Sequence, residues 1–246
     1  MVTTTLPDRA LTSSALFDTL QTRPTPAMQA PYDSTARFKL VMAGERAGKS
    51  FHGALYAIDQ HLYATLTGTG AMTYWLVGWD YEACMPEFAY MSEFATALGI
   101  LRPQDISVRD GGRDRCSFTT STGLTVETVT GAEPHKVARI AVNGLLACET
   151  GHWLSEELML RCIGRLSQHR GWLWASGSFE NSTGWLADWW RRWQASNGEQ
   201  GASWSIPSSS NHYVYPGGEQ DLEIQRLIAS MSPRRFKERH LGIPVA

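Results

Sequence analysis

Lysine is nearly missing from this chain, which has four lysines among 22 basic residues, and no single charge dominates, the net charge being −2. A uniformly basic nucleic-acid binder is thereby excluded, although a local basic patch is not. Cysteine is equally sparse. Cys84, Cys116, Cys148 and Cys162 stand far apart without a CxxC pair. They read as reduced core residues of a cytoplasmic protein, not as a disulfide frame or a zinc site. No apolar run approaches the roughly 20 residues that cross a bilayer. The N-terminus has no basic stretch followed by an apolar one, so no cleaved secretion signal is expected. The seven histidines, His61, His152 and His169 among them, show no metal-binding spacing. What is abundant is arginine, with 18 residues, and tryptophan, with 10, six of which fall between Trp172 and Trp193.

The 246 residues are enough for one large domain or two small ones. Asp8 to Leu20 spaces Leu11, Ala15, Leu16 and Leu20 as a weak amphipathic helix, and Thr22 to Pro31, with three prolines, reads as a connector. Residues 1–36 are therefore read as a peripheral segment or lid, and 37–246 as the main domain. Phe38 to Ala43 suits a buried parallel strand, and Lys49 to about Leu66 a helix. Tyr74 to Gly78, Gly144 to Ala147, Trp172 to Ala175 and Trp204 to Ile206 read as further strands. Helices are expected over Glu82 to Leu98, Ser155 to Arg165, Gly184 to Gln194, Leu222 to Met231 and Pro233 to His240. The runs Cys116 to Ser121 and Leu124 to Thr130, joined through Thr122-Gly123, predict a hairpin. Strands alternating with helices imply an α/β fold: a mainly parallel sheet with helices on both faces.

The sharpest motif is Ala43-Gly44-Glu45-Arg46-Ala47-Gly48-Lys49-Ser50, which satisfies [AG]-x-x-x-x-G-K-[ST] between a predicted strand and a predicted helix. Backbone amides at such a helix start point at phosphates, and the helix dipole favours the negative charge. Lys49 then reaches the β- and γ-phosphates, and the Ser50 hydroxyl binds Mg²⁺. Gly44 and Gly48 would let the backbone approach the anion closely. Val142 to Glu149 is an apolar strand ending in an acid, which places Glu149 in the ligand crevice, where it orients the attacking water and stands near the metal. The aspartate usually preceding such an acid is replaced by Cys148. Ser176-Gly177-Ser178 after another strand has two readings, a sensor of the γ-phosphate or an ordinary tight turn.

Taken together, Phe38 to Ser50, Tyr74 to Glu82, Asn143 to Glu149 and Arg170 to Ser178, in this order and spacing, resemble the ATPase domain of tailed-bacteriophage terminase large subunits. Pro216-Gly217-Gly218 and Arg235 to Pro244 are similar to the end of that domain, so the resemblance spans roughly residues 29 to 244. It implies an ASCE (RecA-like) P-loop NTPase, an ATP- and Mg²⁺-dependent motor. Such a motor threads double-stranded DNA through a portal protein into a procapsid, as a ring of subunits served by a terminase small subunit, in the bacterial host cytoplasm. By position Lys49 and Ser50 match the Walker A residues and Glu149 the catalytic carboxylate. Ser176, Gly177 and Ser178 match the coupling motif, Arg46 the arginine often found inside the loop, and Gln29 the adenine-reading glutamine. An arginine finger is expected in trans; Arg139 is the candidate, with a solvated strand-flanking arginine as the alternative. The family's nuclease domain has no counterpart in these residues, so no nuclease activity is expected of them.

Other features stay open. Trp185, Trp189, Trp190 and Trp193 either stack on bases or pack a helix onto the sheet. Arg191, Arg192 and the cluster Arg234, Arg235, Lys237 and Arg239 either meet DNA phosphates or serve packing. A nucleotide-binding assembly module with negligible hydrolysis is the competing function. A GTPase is disfavoured by the absence of an NKxD motif, and a helicase by the lack of a second core.

Overall fold

The computed structural model describes residues 8–132, 137, 140–151, 154–180, 184–196 and 198–245. Along the chain come α1 (Arg9–Leu20), α2 (Pro26–Asp33), β1 (Phe38–Ala43), α3 (Lys49–Leu66), β2 (Met72–Gly78) and α4 (Met85–Ala97). A two-residue strand β3 (Ile106–Ser107), β4 (Ser117–Thr119), β5 (Leu124–Thr130), β6 (Gly144–Ala147), α5 (Glu156–Arg165) and β7 (Trp172–Gly177) follow. The chain closes with α6 (Trp185–Ala195), β8 (Ala202–Ile206), α7 (Leu222–Ser230) and α8 (Pro233–Phe236), which runs into a π-helical turn, Lys237–Leu241. The strands form one sheet in the order β3-β4-β5-β2-β6-β7-β1-β8. From β5 to β8 every pairing is parallel, and the expected hairpin of β4 and β5 adds an antiparallel edge, with Phe118 opposite Val126.

Alternation along the parallel strands divides their side chains between two cores. Val41, Tyr74, Leu76, Leu146 and Trp174 face the side covered by α1 to α4. Leu40, Met42, Trp75, Val77, Leu145 and Leu173 face the side covered by α5 and α6. Helices on both faces follow, because a parallel sheet buries both of its surfaces. The tryptophans of α6 settle on the packing alternative: Trp189 and Trp193 are buried in the second core, their rings 5.3 Å apart.

Two expectations about the N-terminal region need correction. Thr22 to Pro31 is not only a connector, because α2 begins at Pro26. A proline in the first helical turn loses no hydrogen bond, since that N–H has no intrahelical acceptor. Nor is the described part of residues 1–36 peripheral. Leu16, Phe17, Met28 and Tyr32 are buried in the first core. Ser13 donates to the buried Asp59 of α3 at 2.8 Å, which Arg9 also approaches. Lys39, in the middle of an otherwise apolar strand, is fully buried beneath this segment. Its Nζ donates to the carbonyls of Pro31 and Ser34, each at 2.7 Å, and lies 4.3 Å from the Tyr56 ring centre. Burial, helped by the charge of Arg9, pushes this amine down to about 7.

Candidate functional site

β6, β7 and β1 are neighbours, with Ala147 opposite Ala175 and Gly177 opposite Met42. All three point their C-terminal ends the same way, which is where ligands bind in open α/β sheets. The turn after β1 carries Glu45 to Gly48, the turn after β6 carries Glu149, and the turn after β7 carries Ser178. β7 therefore stands between the loop strand and the acid-bearing strand. A cleft of about 590 Å³ opens here, and Arg46, Lys49, Ser50, Glu149 and Ser178 all line it, as do Glu45 and Gly48. Residues 100 or more positions apart meet only because of this strand order.

The loop is shaped largely by the far end of the chain. The Gly44 N–H donates to the Ile206 carbonyl and the Glu45 N–H to the Arg239 carbonyl, both at 2.8 Å. The carbonyls of Glu45 and Arg46 accept from Ser208 Oγ and Asn211 Nδ2, both at 2.6 Å. Arg239 Nε also reaches the Glu45 carboxylate at 2.7 Å. The amides of Gly44 and Glu45 are thus spent on protein. Those at the start of α3 have no intrahelical acceptor, and their residues Lys49, Ser50 and Phe51 line the cleft. Gly48 enters that helix at φ 88°, and His52 beneath it makes a 2.7 Å hydrogen bond to the Gly48 carbonyl. Because His52 Nε2 accepts from the Thr25 N–H at 3.1 Å, its Nδ1 is the donor to Gly48, and burial lowers the pKa of the ring. The N-terminal segment therefore buttresses the loop directly.

At Gly44 the structure adds a packing reason for glycine. A side chain there would lie 2.3 Å from Ser208 Oγ and 2.4 Å from the His240 carbonyl oxygen. Packing behind the loop therefore already requires glycine here, and neither Gly44 nor Ala47 is among the residues bordering the cleft. Gln29 is not brought to the cleft either. Its amide donates to Asp33 at 2.8 Å, and it borders a separate depression with Ser13 and Arg9. Arg139 lies outside the described residues. Of the C-terminal cations, Arg239 is partly buried between Glu45 and Glu180, while Arg234, Arg235 and Lys237 are exposed, Arg234 pairing with Glu238 and Arg235 approaching Glu180 at 3.9 Å. Arg191 pairs with Asp188 on its own helix.

Across the cleft, Glu149 is exposed with φ 49°, and Arg46 has φ 61°. Left-handed backbone costs a non-glycine residue about 1–2 kcal/mol, and such strain clusters at functional sites. The Thr150 N–H donates to the Ser176 carbonyl at 2.9 Å. Gly177 sits so close to this turn that a Cβ would lie 2.8 Å from Thr150 Oγ1. The acid-bearing turn and Ser176-Gly177-Ser178 are in direct contact. Cys148 is fully buried, and burial holds its thiol well above the ordinary range, so it is no ligand for a hard cation.

Sequence reasoning missed Ser208, Asn211 and Arg239, which hold the loop from more than 160 residues away, and also Glu87 on α4. Glu87 is 2% exposed, beside Ser50 and Cys148 and within electrostatic range of Glu149. Burial, with the Glu149 charge adding to it, pushes its carboxyl up to about 7. The oxygens present suit Mg²⁺: Ser50 and Glu149 offer hard donors, and Oε2 of Glu87 is buried without a hydrogen-bond partner. Among the described residues no group of three or more His, Cys, Asp or Glu side chains holds a metal alone. That is usual where phosphate oxygens and waters complete the Mg²⁺ octahedron.

No protein-family model and no curated protein sequence matches the chain. Solved structures do. The ATPase domain of the large terminase of Thermus phage P74-26 superposes with a TM-score of 0.66 at 13% identity, over 93% of this chain and 97% of that one. The large terminase of another phage, a thermophilic bacteriophage, gives 0.62 at 12% identity, over 98% of this chain and 54% of that one. The same bacteriophage protein in complex with ADP gives 0.61 at 12% identity, over 98% of this chain and 54% of that one. This chain spans about half the length of that second terminase. It has the α/β P-loop fold of large-terminase ATPase domains.

Proposed function

We propose that this chain is the ATP-hydrolysing motor domain of a viral DNA-packaging terminase, which moves double-stranded DNA into a procapsid. The observation that carries the reading is the single cleft into which Lys49, Ser50, Glu149 and Ser178 converge from three neighbouring strand ends. The fold shared with large-terminase ATPase domains supports it, as do the structures of the thermophilic bacteriophage's terminase in complex with ADP and with ATP-gamma-S. In this reading Lys49 leaves the carbonyl of Gly44, now 3.2 Å from its Nζ, to meet the β- and γ-phosphates. The amides opening α3 cradle the same oxygens. Ser50 and Glu149 would hold Mg²⁺, which would neutralise charge on the phosphate oxygens. Glu149 orients the attacking water and takes its proton.

The bond from Thr150 to Ser176 then gives Ser176-Gly177-Ser178 a path for passing a change at Glu149 into the sheet. Arg139 of a neighbouring subunit is proposed to complete the site in a ring docked on a portal protein, with a terminase small subunit and the host cytoplasm as the setting. No helix among the described residues is long and apolar enough to cross a membrane. DNA would be held through its phosphates, so binding should weaken steeply with salt.

The test is phosphate release by the wild-type chain and by Glu149→Ala at high protein concentration, with and without DNA. The expected loss in the variant is at least about a hundredfold. Equal background rates would instead support the second reading, a module in which ATP only orders an assembly interface. The burial of Cys148 where a metal-holding aspartate usually stands is the observation that favours it.

A further inference from the structure

Glu87 is a buried acid beside the cleft for which the proposed hydrolysis has no use, and its position is costly. It lies in the first turn of α4, next to Pro86. It is 2% exposed, and its Oε2 has no hydrogen-bond partner among the described residues. A buried, unpaired carboxyl oxygen is destabilising unless something satisfies it. Its neighbours are the Ser50 hydroxyl and the Cys148 thiol, with Glu149 in electrostatic range. Two elements thus converge on one spot. β6 continues into Cys148, whose short thiol cannot replace a carboxylate, and α4 brings a carboxylate to the same place from across the core.

The geometry points to Glu87 as the positioning residue that takes over the role of the missing strand aspartate. Its carboxylate accepts from the Ser50 hydroxyl, turning the Ser50 lone pairs towards the cleft, and the unpartnered Oε2 accepts from a water bound to Mg²⁺. Glu87 does not line the cleft, so it acts through Ser50 and that water and not as a direct ligand. The inference rests on the nucleotide-site reading above. Outer-shell carboxylates of this kind typically change metal affinity by 10- to 100-fold.

The experiment measures binding of a fluorescent ATP analogue during Mg²⁺ titration and again in EDTA, with thermal unfolding of each variant alongside. In Glu87→Gln the Mg²⁺ midpoint is expected to rise about tenfold or more, while affinity in EDTA stays within about twofold of wild type. The double variant Glu87→Gln/Cys148→Asp, which moves the carboxylate back to the strand, is expected to recover most of the shift. If Glu87→Gln melts below the assay temperature, Glu87→Asp carries the test, since withdrawing the carboxylate by one methylene raises the midpoint too. A changed melting temperature with an unchanged Mg²⁺ midpoint would make Glu87 a structural acid and overturn the proposal alone. Failure of the wild-type chain to bind nucleotide with or without Mg²⁺ would overturn the nucleotide site and this proposal together.

Discussion

Replacing Gly44 by alanine adds one methyl group to the back of the phosphate loop, and the structure says what that methyl meets. It would lie 2.3 Å from Ser208 Oγ and 2.4 and 2.7 Å from the oxygen and carbon of the His240 carbonyl. Ordinary contacts of this kind begin near 3.4 Å. Ser208 can rotate away only by giving up its bonds to the Glu45 carbonyl at 2.6 Å and to His240 Nδ1 at 3.1 Å. Each is worth about 1 kcal/mol. The His240 carbonyl is backbone and has no rotamer to escape into, and the Arg239 carbonyl before it is bonded to the loop. Overpacking of this type costs about 1–3 kcal/mol. The total is about 4 kcal/mol, which for a chain of this size lowers the melting temperature by roughly 8–16 °C. Calorimetric unfolding of Gly44→Ala against Gly164→Ala measures it. Gly164 lies in α5 with nothing within 4 Å of the new methyl, so that variant should be about 0.5–1 kcal/mol more stable than wild type. A Gly44→Ala melting temperature within about 2 °C of wild type would refute the idea that the C-terminal turn clamps the loop.

Glu149→Gly should abolish phosphate release yet unfold about 1 kcal/mol harder than wild type, because φ 49° strains glutamate but not glycine; a destabilised variant would show that the turn carries no strain. His61 is fully buried, its Nε2 2.7 Å from Thr122 Oγ1, and burial lowers its pKa from 6.5 to about 4. The unfolded chain therefore binds a proton that the folded one refuses, and stability present above pH 6.5 is lost as pH falls towards 4, by up to about 3 kcal/mol. Urea unfolding from pH 7 to pH 4 should show a shallower fall for His61→Gln, and parallel curves would count against this account. Lys39→Met should cost about 2–4 kcal/mol by leaving the Pro31 and Ser34 carbonyls without their donor; a melting temperature equal to wild type would mean that water replaces the ammonium.

Much of the site could be read directly because its chemistry is local. The phosphate loop is eight consecutive residues between a strand and a helix, and Glu149 follows a four-residue apolar strand by two residues, so composition and periodicity suffice to find both. The hairpin of β4 and β5 was legible for the same reason, its turn and both runs lying within about fifteen residues. α2 was obscured because Pro26 at its start and Pro31 inside it match a connector, and burial of Met28 and Tyr32 offsets their low helix propensity.

By itself, then, the sequence determined the order of strands and helices, the phosphate loop and the acid that follows β6, since periodicity and short motifs are properties of contiguous chain. Tertiary structure alone decided that β7 separates the loop from that acid, that Ser208, Asn211 and Arg239 hold the loop, and that Lys39 and Glu87 are buried. The physical reason is that a residue's pattern within its own element shows which face is apolar but not which element will cover it. The partners of a buried charge are fixed only when distant elements pack.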